Sequence, residues 1–493
     1  MEATHERADV VIVGSGYGGA ITALRLAEAG VRCVLIERGR RWPVTPAGDT
    51  FTTQVAPDGR AAWLDTKSPL SEAVFDKYTG ILESFEGEGT TVLAAAGYGG
   101  ASLTSNGTMI EPLPRLFRDA FGDSLDYDEM HERWYPEARS LIGCSPIPDE
   151  LYASPFYESA RTFADQAAKA GLSVEKVALA VDWDAIRGEA DGTRVMAELL
   201  GLNLFGVNSG AQRSLDRTLL ARAEATLRVD VRTLTDVTGV HPDGAGYRVE
   251  YQRIDETGRV LGRGSLTARH LVLSAGSLGT TRMLVRARGT GALPDLDASV
   301  GSMIGNSELV TIRTGMPENN PGQGGPSAIL VRDTENPHAP TAMLNFPWVD
   351  APPGVGAIAA IGASPSPPAG SYRYDADSGE VRMTWPVDDP RVRRMTDAMH
   401  ATLDKLNAAN PGTRTELTIS GASGNTVGGV PLGLACDTAG RLHGYRNLYV
   451  VDGSLLHGSS AGVPPALTVS AVAARCAARI VPTIAADTGR YGG

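Results

Sequence analysis

The stretch VVIVGSGYGGAITALRLAEAGVRCVLIERG, residues 10–39, decides the fold of this chain. It opens with four β-branched residues, Val10–Val13, which predict a buried parallel strand. A glycine-rich turn follows, and a helix is expected over residues 20–29. A second strand is expected over Cys33–Ile36 and ends at Glu37. This strand–turn–helix–strand order carries the fingerprint of a dinucleotide-binding unit, whereas an ordinary βαβ turn without a ligand is the weaker interpretation.

The residue types in this turn suit a bound nucleotide. Gly14 permits the tight turn, Gly16 lets the backbone approach a pyrophosphate, and Gly19 allows close packing of helix on strand. The N-terminus of the helix offers free N–H groups and a partial positive charge to phosphates. A carboxylate at Glu37 can accept hydrogen bonds from a ribose diol and disfavours a 2′-phosphate. NAD or FAD is therefore favoured over NADP.

The composition bounds the class of protein. The chain has 493 residues, of which 42% are hydrophobic and 21% charged, so two or three domains with large cores are expected. A net charge of −12 without a basic stripe argues against nucleic acid and anionic membranes as partners. We expect a cytoplasmic protein with no integral membrane segment, because neither a signal peptide nor an apolar run near transmembrane length is evident. The oligomeric state stays open.

No metal site is expected from the cysteines, which lie outside any CxxC pair. They are Cys33, Cys144, Cys436 and Cys476.

Three later segments are, like the first turn, rich in glycine and other small residues. Residues 90–112 carry a second glycine cluster, which indicates a backbone that lies close to something flat or bulky. A predicted strand ends at residues 274–280 and opens a helix, and another enters the turn Asp452–Ser454. Between them, residues 311–427 are rich in prolines and short strands and contain one clear helix, Val392–Ala409. The nucleotide domain is thus completed from both ends of the chain, with a second domain inserted.

In this sequence several separated motifs occur in the order found in one family. They are GSGYGG with Glu37, GYGGASLTSNG, LSAGSLGTTRMLVRA, IGNSELVTIR and GYRNLYVVDGSLLHGS. Over residues 10–480 the chain resembles the glucose–methanol–choline (GMC) oxidoreductases, and within them the bacterial cholesterol oxidases. The resemblance implies an α/β fold, in which a Rossmann-like FAD-binding domain carries an inserted α+β substrate domain built on a β-sheet.

The resemblance also implies domain limits and a set of FAD contacts. The FAD-binding domain takes residues 1–120, 205–310 and 430–493, the helical cap or part of the substrate domain takes residues 121–204, and the main substrate-binding domain takes residues 311–429. The FAD contacts are expected at Gly14, Gly16, Tyr17, Gly18, Gly19, Glu37, Arg38, Gly97, Gly99, Gly100, Ser102, Asn106, Val237, Ala275, Gly276, Asp452, Gly453 and Pro464.

The chain differs from this family at the positions that carry out the family's catalysis. The family has a histidine at the start of an HPLGG-like motif, and Val430 of VPLG is matched to it here. Pro464 stands where the family has an asparagine or histidine near the flavin. The glutamate that cholesterol oxidases use for isomerisation matches Met343 or Leu344. Valine, proline and these apolar residues cannot receive a proton, although a positioned base contributes roughly 10²–10⁴-fold to such a reaction.

Other polar residues are candidates to replace these groups. Catalytic candidates are His457, which follows the DGSLL turn, and Asn106 and Ser105, which could orient a carbonyl. Further candidates are Asp350 as an acid and the hydrogen-bond donors Asn425, Thr426, Ser459 and Ser460. An apolar substrate wall is expected from Met343, Leu344, Phe346, Trp348 and Val430.

Two catalytic functions and one binding function fit these observations. The first is an FAD-dependent oxidoreductase that acts on a large apolar, steroid- or polyketide-like substrate by a non-standard proton path. The second is a non-redox cyclase, pericyclase or isomerase of natural-product biosynthesis, in which FAD is structural and positioning suffices. The third is a flavin-binding protein without catalysis. The sequence favours the first and makes the third the weakest.

Overall fold

The structure is a computed structural model that describes residues 4–306, 308–316, 324–349, 354–419 and 421–489; Asp350 lies outside these ranges. The strands, in chain order, are β1 (Thr4–Val13), β2 (Cys33–Ile36), β3 (Leu82–Gly87), β4 (Thr90–Ala95), β5 (Ser145–Pro146), β6 (Ser173–Lys176), β7 (Ala178–Leu179), β8 (Val229–Arg232), β9 (Thr235–Asp243), β10 (Gly246–Ile254), β11 (Val260–Leu273), β12 (Glu308–Met316), β13 (Ile329–Asp333), β14 (Thr341–Phe346), β15 (Gly356–Ala363), β16 (Ser371–Asp375), β17 (Glu380–Thr384), β18 (Arg414–Ile419), β19 (Ala422–Ser423) and β20 (Leu448–Val450).

The α-helices are α1 (Tyr17–Glu28), α2 (Pro114–Phe121), α3 (Tyr127–Glu129), α4 (Tyr135–Ile142), α5 (Asp149–Tyr152), α6 (Glu158–Lys169), α7 (Trp183–Asp191), α8 (Leu219–Ala225), α9 (Gly276–Gly289), α10 (Pro390–Ala409) and α11 (Ala466–Thr488). A π-helical turn, Met130–Trp134, joins α3 to α4. Short 3₁₀ turns occur at Gly100–Leu103, Gly122–Ser124, Pro155–Tyr157, Glu198–Leu200 and Gly453–Leu455.

The first sheet is the nucleotide-binding layer and has the strand order β8-β2-β1-β11-β10-β9. Strands β8, β2, β1 and β11 run parallel, and β20 adds a further parallel strand beside the end of β11. The residues Val10–Val13 are at most 5% exposed, as expected for a strand covered by helices on both faces. Strands β9, β10 and β11 form the antiparallel meander that the alternating pattern predicts.

The second sheet is antiparallel and has the strand order β18-β12-β15-β14-β13-β6. Its register places Val310 opposite Ile361 and Ile361 opposite Leu344. Because side chains alternate between the two faces of a strand, Glu308, Leu344, Phe346 and Ile361 lie on one face of this sheet. The other face carries Met343 and packs in the core with the helical segment.

The structure confirms the expected fold class, because a Rossmann-like layer is combined with a second, sheet-based unit. Details differ from the sequence expectation. Helix α1 begins at Tyr17 and α9 at Gly276, both earlier than expected. The irregular sequence of residues 40–88, rich in proline, glycine and acids, predicts a long loop, but it contains β3, which pairs with β4 in a hairpin. The partly exposed polar side chains of β3 hide its strand pattern.

Helix α11 corrects the expectation that no apolar run approaches transmembrane length. By length and composition Ala466–Thr488 could cross a membrane, but 61% of its apolar window is buried inside the structure. The helix packs against α1 and α4. Its apolar character is that of a core helix between two others.

Candidate functional site

A large cavity is bordered by both sheets. Its volume is about 910 Å³. One part is lined by the turn before α1, the end of β2, strand β9 and the start of α9; we call this the nucleotide end. Another part is lined by Glu308, Leu344, Phe346, Ile361 and Asn425; we call this the substrate end.

The turn before α1 is closed against the protein on one side and open to the cavity on the other. A Cβ on Gly18 would lie 1.6 Å from the carbonyl oxygen of Val451, and one on Gly14 would lie 2.3 Å from that of Ser274. A Cβ on Gly16 would meet no protein atom within 4 Å, although Gly16 lines the cavity. The space in front of Gly16 is therefore available to a ligand that approaches the backbone closely.

The N-terminus of α1 is suited to an anion. Its N-cap residue, Gly16, makes no side-chain capping bond, and the first turn carries no acidic residue. The first N–H groups of the helix therefore keep their partial positive charge toward the cavity. A pyrophosphate is the kind of ligand that such an end binds.

Glu37 lies beside this turn and is 7% exposed. Its Oε2 accepts hydrogen bonds from the backbone N–H of Ser15 (3.1 Å) and from Ser15 Oγ (2.6 Å), and its Oε1 accepts from Gly39 N–H (2.8 Å). Burial raises the pKa of Glu37 above its usual value, and these hydrogen bonds oppose that rise. The carboxyl group is held at the cavity edge, where a ribose can be recognised.

An ion network forms part of the nucleotide end. Glu83 Oε2 forms an ion pair with Arg38 Nη2 (2.6 Å), Glu83 Oε1 accepts a hydrogen bond from Arg282 Nη1 (3.0 Å), and all three residues line the cavity. Burial alone would raise the pKa of Glu83, but the two guanidinium groups outweigh it and hold the pKa below its usual value. The network fixes Arg38 beside the strand end that carries Glu37.

Asp452 connects the C-terminal segment to α9. Its Oδ2 accepts hydrogen bonds from Gly276 N–H (2.9 Å) and Thr280 Oγ1 (2.5 Å), and its Oδ1 accepts from Ser454 N–H (2.9 Å). Burial raises its pKa, and these bonds lower it in part. The carboxyl group thus ties two small-residue turns together at the cavity wall.

These observations fit an FAD molecule. The cavity combines an open glycine turn, an uncapped helix end, a carboxyl group at the ribose position and a path toward a second sheet. Of the expected contacts, the cavity lining includes Gly14, Gly16, Tyr17, Gly18, Glu37, Arg38, Gly100, Asn106, Val237, Ala275, Gly276, Asp452, Gly453 and Pro464.

Four expected cofactor contacts lie behind the lining instead. A Cβ on Gly19 would lie 2.0 Å from the carbonyl oxygen of Gly14, so this glycine serves helix packing. Ser15 Oγ accepts from Gly99 N–H (2.9 Å) and approaches the carbonyl oxygen of Gly97, while Ser102 Oγ donates to the carbonyl oxygen of Gly99 (2.8 Å). These residues hold the second glycine loop against the first turn.

The catalytic candidates separate in the structure. Asn106 and Ser105 line the cavity. His457 does not: it is 8% exposed, its Nε2 lies 2.7 Å from the carbonyl oxygen of Leu432, and its ring packs at 5.7 Å from that of Phe121. The expectation that His457 lies near the reacting centre needs correction, because the chain after the DGSLL turn carries it into the core.

Only some of the residues expected to form the substrate wall line the cavity. Leu344 and Phe346 line the cavity, whereas Met343 faces the opposite side of the sheet. Trp348 packs in a small apolar cluster, and Val430 is fully buried. Strand alternation explains the outcome for Met343, since adjacent residues of β14 point to opposite faces.

The position of Val430 changes how the family motif is matched. The HPLGG-like motif ends in two adjacent glycines, which in this chain are Gly428 and Gly429, both with positive φ. Counting back from them puts Asn425, not Val430, at the histidine position. Asn425 lines the cavity and Val430 does not. The VPLG run therefore matches the motif in letters only, and a polar amide stands where the family has histidine.

Sequence reasoning missed Glu308, which lines the substrate end of the cavity. It lies within the motif IGNSELVTIR, where it begins the apolar strand β12. The signal for it was an acid at the start of an otherwise apolar strand. That signal carries little weight without the register of the sheet.

Comparison with known proteins identifies the family from two separate parts of the chain. A model described as "FAD binding domain" matches residues 7–55, and one described as "GMC oxidoreductase" matches residues 371–473. The first match covers the turn before α1 and Glu37. The second covers Asn425, the Asp452 turn and the start of α11.

Similar proteins extend the match over nearly the whole chain. A cholesterol oxidase from Mycobacterium tuberculosis (strain CDC 1551 / Oshkosh) is 24% identical over 95% of this chain and 90% of its own length. A paromamine 6'-oxidase from Streptomyces fradiae is 25% identical over the same shares. The crystal structure of a pyridoxine 4-oxidase from Mesorbium loti superposes with a TM-score of 0.66 at 18% identity, and covers 96% of this chain and 99% of that one. This last likeness concerns the fold alone.

The FAD-binding match covers the turn and the carboxyl group of the nucleotide end, the GMC match covers Asn425 and the Asp452 turn, and the oxidase relatives extend over nearly the whole chain. Fold, cofactor site and relatives agree: the chain is an FAD-dependent oxidoreductase of the GMC type, related to cholesterol oxidases.

Proposed function

We propose that this enzyme oxidises an alcohol group on a large, mainly apolar, steroid- or polyketide-like molecule, and that a group other than histidine takes the hydroxyl proton. The observation that carries the proposal is the single cavity that extends from the FAD-binding turn to an apolar wall. The identity to relatives does not set the substrate, because the relatives at 24% and 25% identity are named for cholesterol and for paromamine.

The substrate end supports a bulky apolar ligand. Leu344, Phe346 and Ile361 share one face of the second sheet and line the cavity there. Val92 and Leu93 of β4 line it as well. Burying apolar ligand surface against such side chains contributes roughly 25 cal/mol per Å², so the wall favours ligands with extended hydrocarbon surface.

The residues of the cavity divide into those that would hold FAD and those that would orient the substrate. The turn at Gly16, the carboxyl group of Glu37 and the turn at Asp452 would bind the cofactor. Bound FAD supplies an acceptor for the hydride that an alcohol carbon gives up. The amides of Asn106 and Asn425 would position the hydroxyl group, since an amide both donates and accepts hydrogen bonds.

The residues through which the family normally transfers the hydroxyl proton cannot do so in this chain. Among the described lining residues the one histidine is His241, on β9 at the nucleotide end. An asparagine side chain at position 425 and the proline at 464 do not titrate near neutral pH. The non-redox alternative, a cyclase or isomerase with structural FAD, is kept as an outcome of the test.

The test is to mix the holoenzyme anaerobically with a panel of hydroxysteroids and polyketide alcohols and to record the visible spectrum of the flavin. Bleaching of the oxidised flavin with formation of a ketone or aldehyde is expected. Conversion of a panel member into an isomer of unchanged mass without bleaching would overturn the proposal in favour of the non-redox function.

A matched pair of variants shows whether the substrate end is used. Ile361→Trp places a large ring into the cavity and should slow bleaching by the active alcohol at least 10-fold, because the ring competes with the substrate for space. Leu417→Trp, on the exposed edge strand β18 of the same sheet, should leave the rate unchanged. Both variants should keep the full FAD content, which the absorbance of the purified protein reports.

A further inference from the structure

The substrate end contains an acid, Glu308, to which the sequence motifs assigned no role. Glu308 begins β12 and faces the same side of the sheet as Ile361 and Leu344. Glu308 lines the cavity and is partly exposed. A carboxylate in this position is available to a ligand bound there.

Glu308 is also bonded to the segment that carries the family's histidine position. Its Oε2 accepts hydrogen bonds from Ser423 Oγ (3.0 Å) and Gly424 N–H (3.2 Å). The N–H of Asn425 donates to Ser423 Oγ (3.0 Å) and helps to hold down the pKa of Glu308. The carboxyl group therefore lies next to Asn425. The site that lacks the histidine has an acid beside it.

We propose that Glu308 is the catalytic base of this enzyme and takes the hydroxyl proton of the bound alcohol. This inference rests on the proposed alcohol oxidation. In the step, the O–H bond breaks and its proton passes to a carboxylate oxygen of Glu308. On the carbon that bears this hydroxyl group, the C–H bond breaks and the hydrogen leaves with the electron pair as hydride, which bound FAD would accept. The electron pair of the broken O–H bond completes the C=O bond. The substrate loses two electrons and FAD gains them.

The environment of Glu308 suits this role. Burial raises the pKa of Glu308 above its usual value, and the hydrogen-bond donors of Ser423, Gly424 and Asn425 limit the rise. A base whose pKa moves toward the working pH is a better proton acceptor than an ordinary surface glutamate. The carboxylate is thus kept basic without being neutralised by a cation.

The charged groups around β12 do not change this picture. The adjoining strands β15 and β19 and the loop 424–427 carry no ionisable side chain. On β18, Arg414 and Glu416 pair with each other near Thr314, at the opposite end of β12. The cavity's ion network at Arg38, Glu83 and Arg282 belongs to the nucleotide end. The pKa of Glu308 is shifted by burial and by the hydrogen-bond donors of Ser423, Gly424 and Asn425.

The decisive variant is Glu308→Gln in the holoenzyme. Its amide oxygen can still accept from Ser423 and Gly424, so the fold and the FAD content should be kept, but it cannot take a proton. With an alcohol that bleaches the wild-type flavin, we expect the bleaching rate to fall about 10²–10⁴-fold. Glu416→Gln, the same change on the same sheet outside the cavity, should leave the rate within 2-fold.

The pH dependence gives a second readout. The wild-type bleaching rate should rise with pH as Glu308 loses its proton, and in Glu308→Gln this rise should be absent. Ser423→Ala removes a hydrogen bond that stabilises the carboxylate, so it should move the rise to higher pH without touching the substrate. A rise that Glu308→Gln retains, or a Glu308→Gln rate within 3-fold of wild type, would overturn the proposal.

A binding measurement separates this inference from the proposed function. Protonated Glu308 can donate to a ketone, so the affinity of the oxidised holoenzyme for progesterone should fall as pH rises, and Glu308→Gln should bind it independently of pH. Wild-type binding without that fall, or the same fall in Glu308→Gln, contradicts the role of Glu308. A wild type that no panel alcohol reduces, with this pH effect present, contradicts the oxidation alone.

Discussion

Glu198 lies outside the cavity lining, and the side chain of Asn203 connects it to Asn106 in that lining. It is fully buried, and Asn203 Nδ2 donates both to Glu198 Oε1 (3.0 Å) and to Asn106 Oδ1 (3.0 Å). Because Asn106 Oδ1 accepts this bond, its Nδ2 is left as the donor toward the cavity. The orientation of a residue that lines the substrate cavity is therefore set by a buried carboxyl group.

The same carboxyl group has a displaced pKa. Burial raises the pKa of Glu198 to about 8, and the nearby Glu189 adds to the rise. Burial also raises the pKa of Glu189, but Glu189 accepts three backbone N–H bonds, from Ala197, Glu198 and Leu199, which oppose that rise. Of the two, Glu198 is thus the carboxyl group that stays protonated at neutral pH.

We predict a pH-dependent loss of stability that originates at Glu198. Between about 4.5, its ordinary pKa, and about 8, the folded state holds the proton more tightly than the unfolded state. The free energy of unfolding should therefore fall as pH rises through this window, by up to about 1.4 kcal/mol per pH unit, and level off above it. Glu198→Gln should remove this part of the slope.

The measurement is the midpoint of urea unfolding of the holoenzyme from pH 5 to 9. Relative to wild type, Glu198→Gln should gain stability toward the upper end of this range. Glu416→Gln serves as the control, because its side chain lies on the outer strand β18. Parallel pH curves for wild type and Glu198→Gln would contradict the assignment.

At the scale of elements, the turn into α1 combines two glycines with different tasks. Gly18 is pressed against the carbonyl oxygen of Val451, so it serves the fold. Gly16 has open space in front of it, so it serves the ligand. The distinction is not visible in the sequence, where both belong to one glycine run.

We therefore predict opposite results for two alanine variants. Gly16→Ala should fold like wild type as the apoprotein but bind FAD at least 10-fold more weakly, because its methyl group occupies ligand space. Gly18→Ala should lower the thermal midpoint of the apoprotein, since the methyl group collides with Val451. Circular dichroism melting and FAD titration measure the two effects, and equal behaviour of the two variants would show that the turn is not divided in this way.

Local sequence signals were sufficient for the elements that depend on local pattern. Strand β2 occupies its expected residues, and α10 begins two residues before the expected start. Helix α1 begins earlier than expected because Tyr17 to Gly19 already adopt helical geometry. Strand β3 of the hairpin β3–β4 was missed because its partly exposed polar side chains hide the strand pattern.

At the scale of the whole molecule, the cavity is assembled from distant segments. The N-terminal turn, the α9 start and the Asp452 turn meet at one end, while β12, β14 and β15 supply the other. The family and the FAD site could be predicted because the N-terminal turn, the start of α9 and the Asp452 turn each have their own motif. The positions of Glu308, Asn425 and His457 could not, because they depend on sheet register and on the path of the chain after a turn.

Asn425 is an example of a position that a local sequence match could not identify. The letters VPLG favoured Val430 as the histidine position, and a local match could not distinguish it from Asn425. The cavity lining distinguishes them, since only one of the two residues reaches it. The interpretation that three proton-carrying groups were all replaced by apolar residues changes accordingly, because an amide and a neighbouring acid are present.

In the proposed reaction a hydride leaves the alcohol carbon while a side chain of the protein takes the hydroxyl proton. The most direct measurement follows a substrate with deuterium on its carbinol carbon through one anaerobic turnover, with the flavin spectrum and the product mass recorded together. We expect slower bleaching than with the undeuterated alcohol, and one carbonyl product without the deuterium for each flavin bleached. A product of unchanged mass that keeps the deuterium, formed while the flavin stays oxidised, would contradict the account.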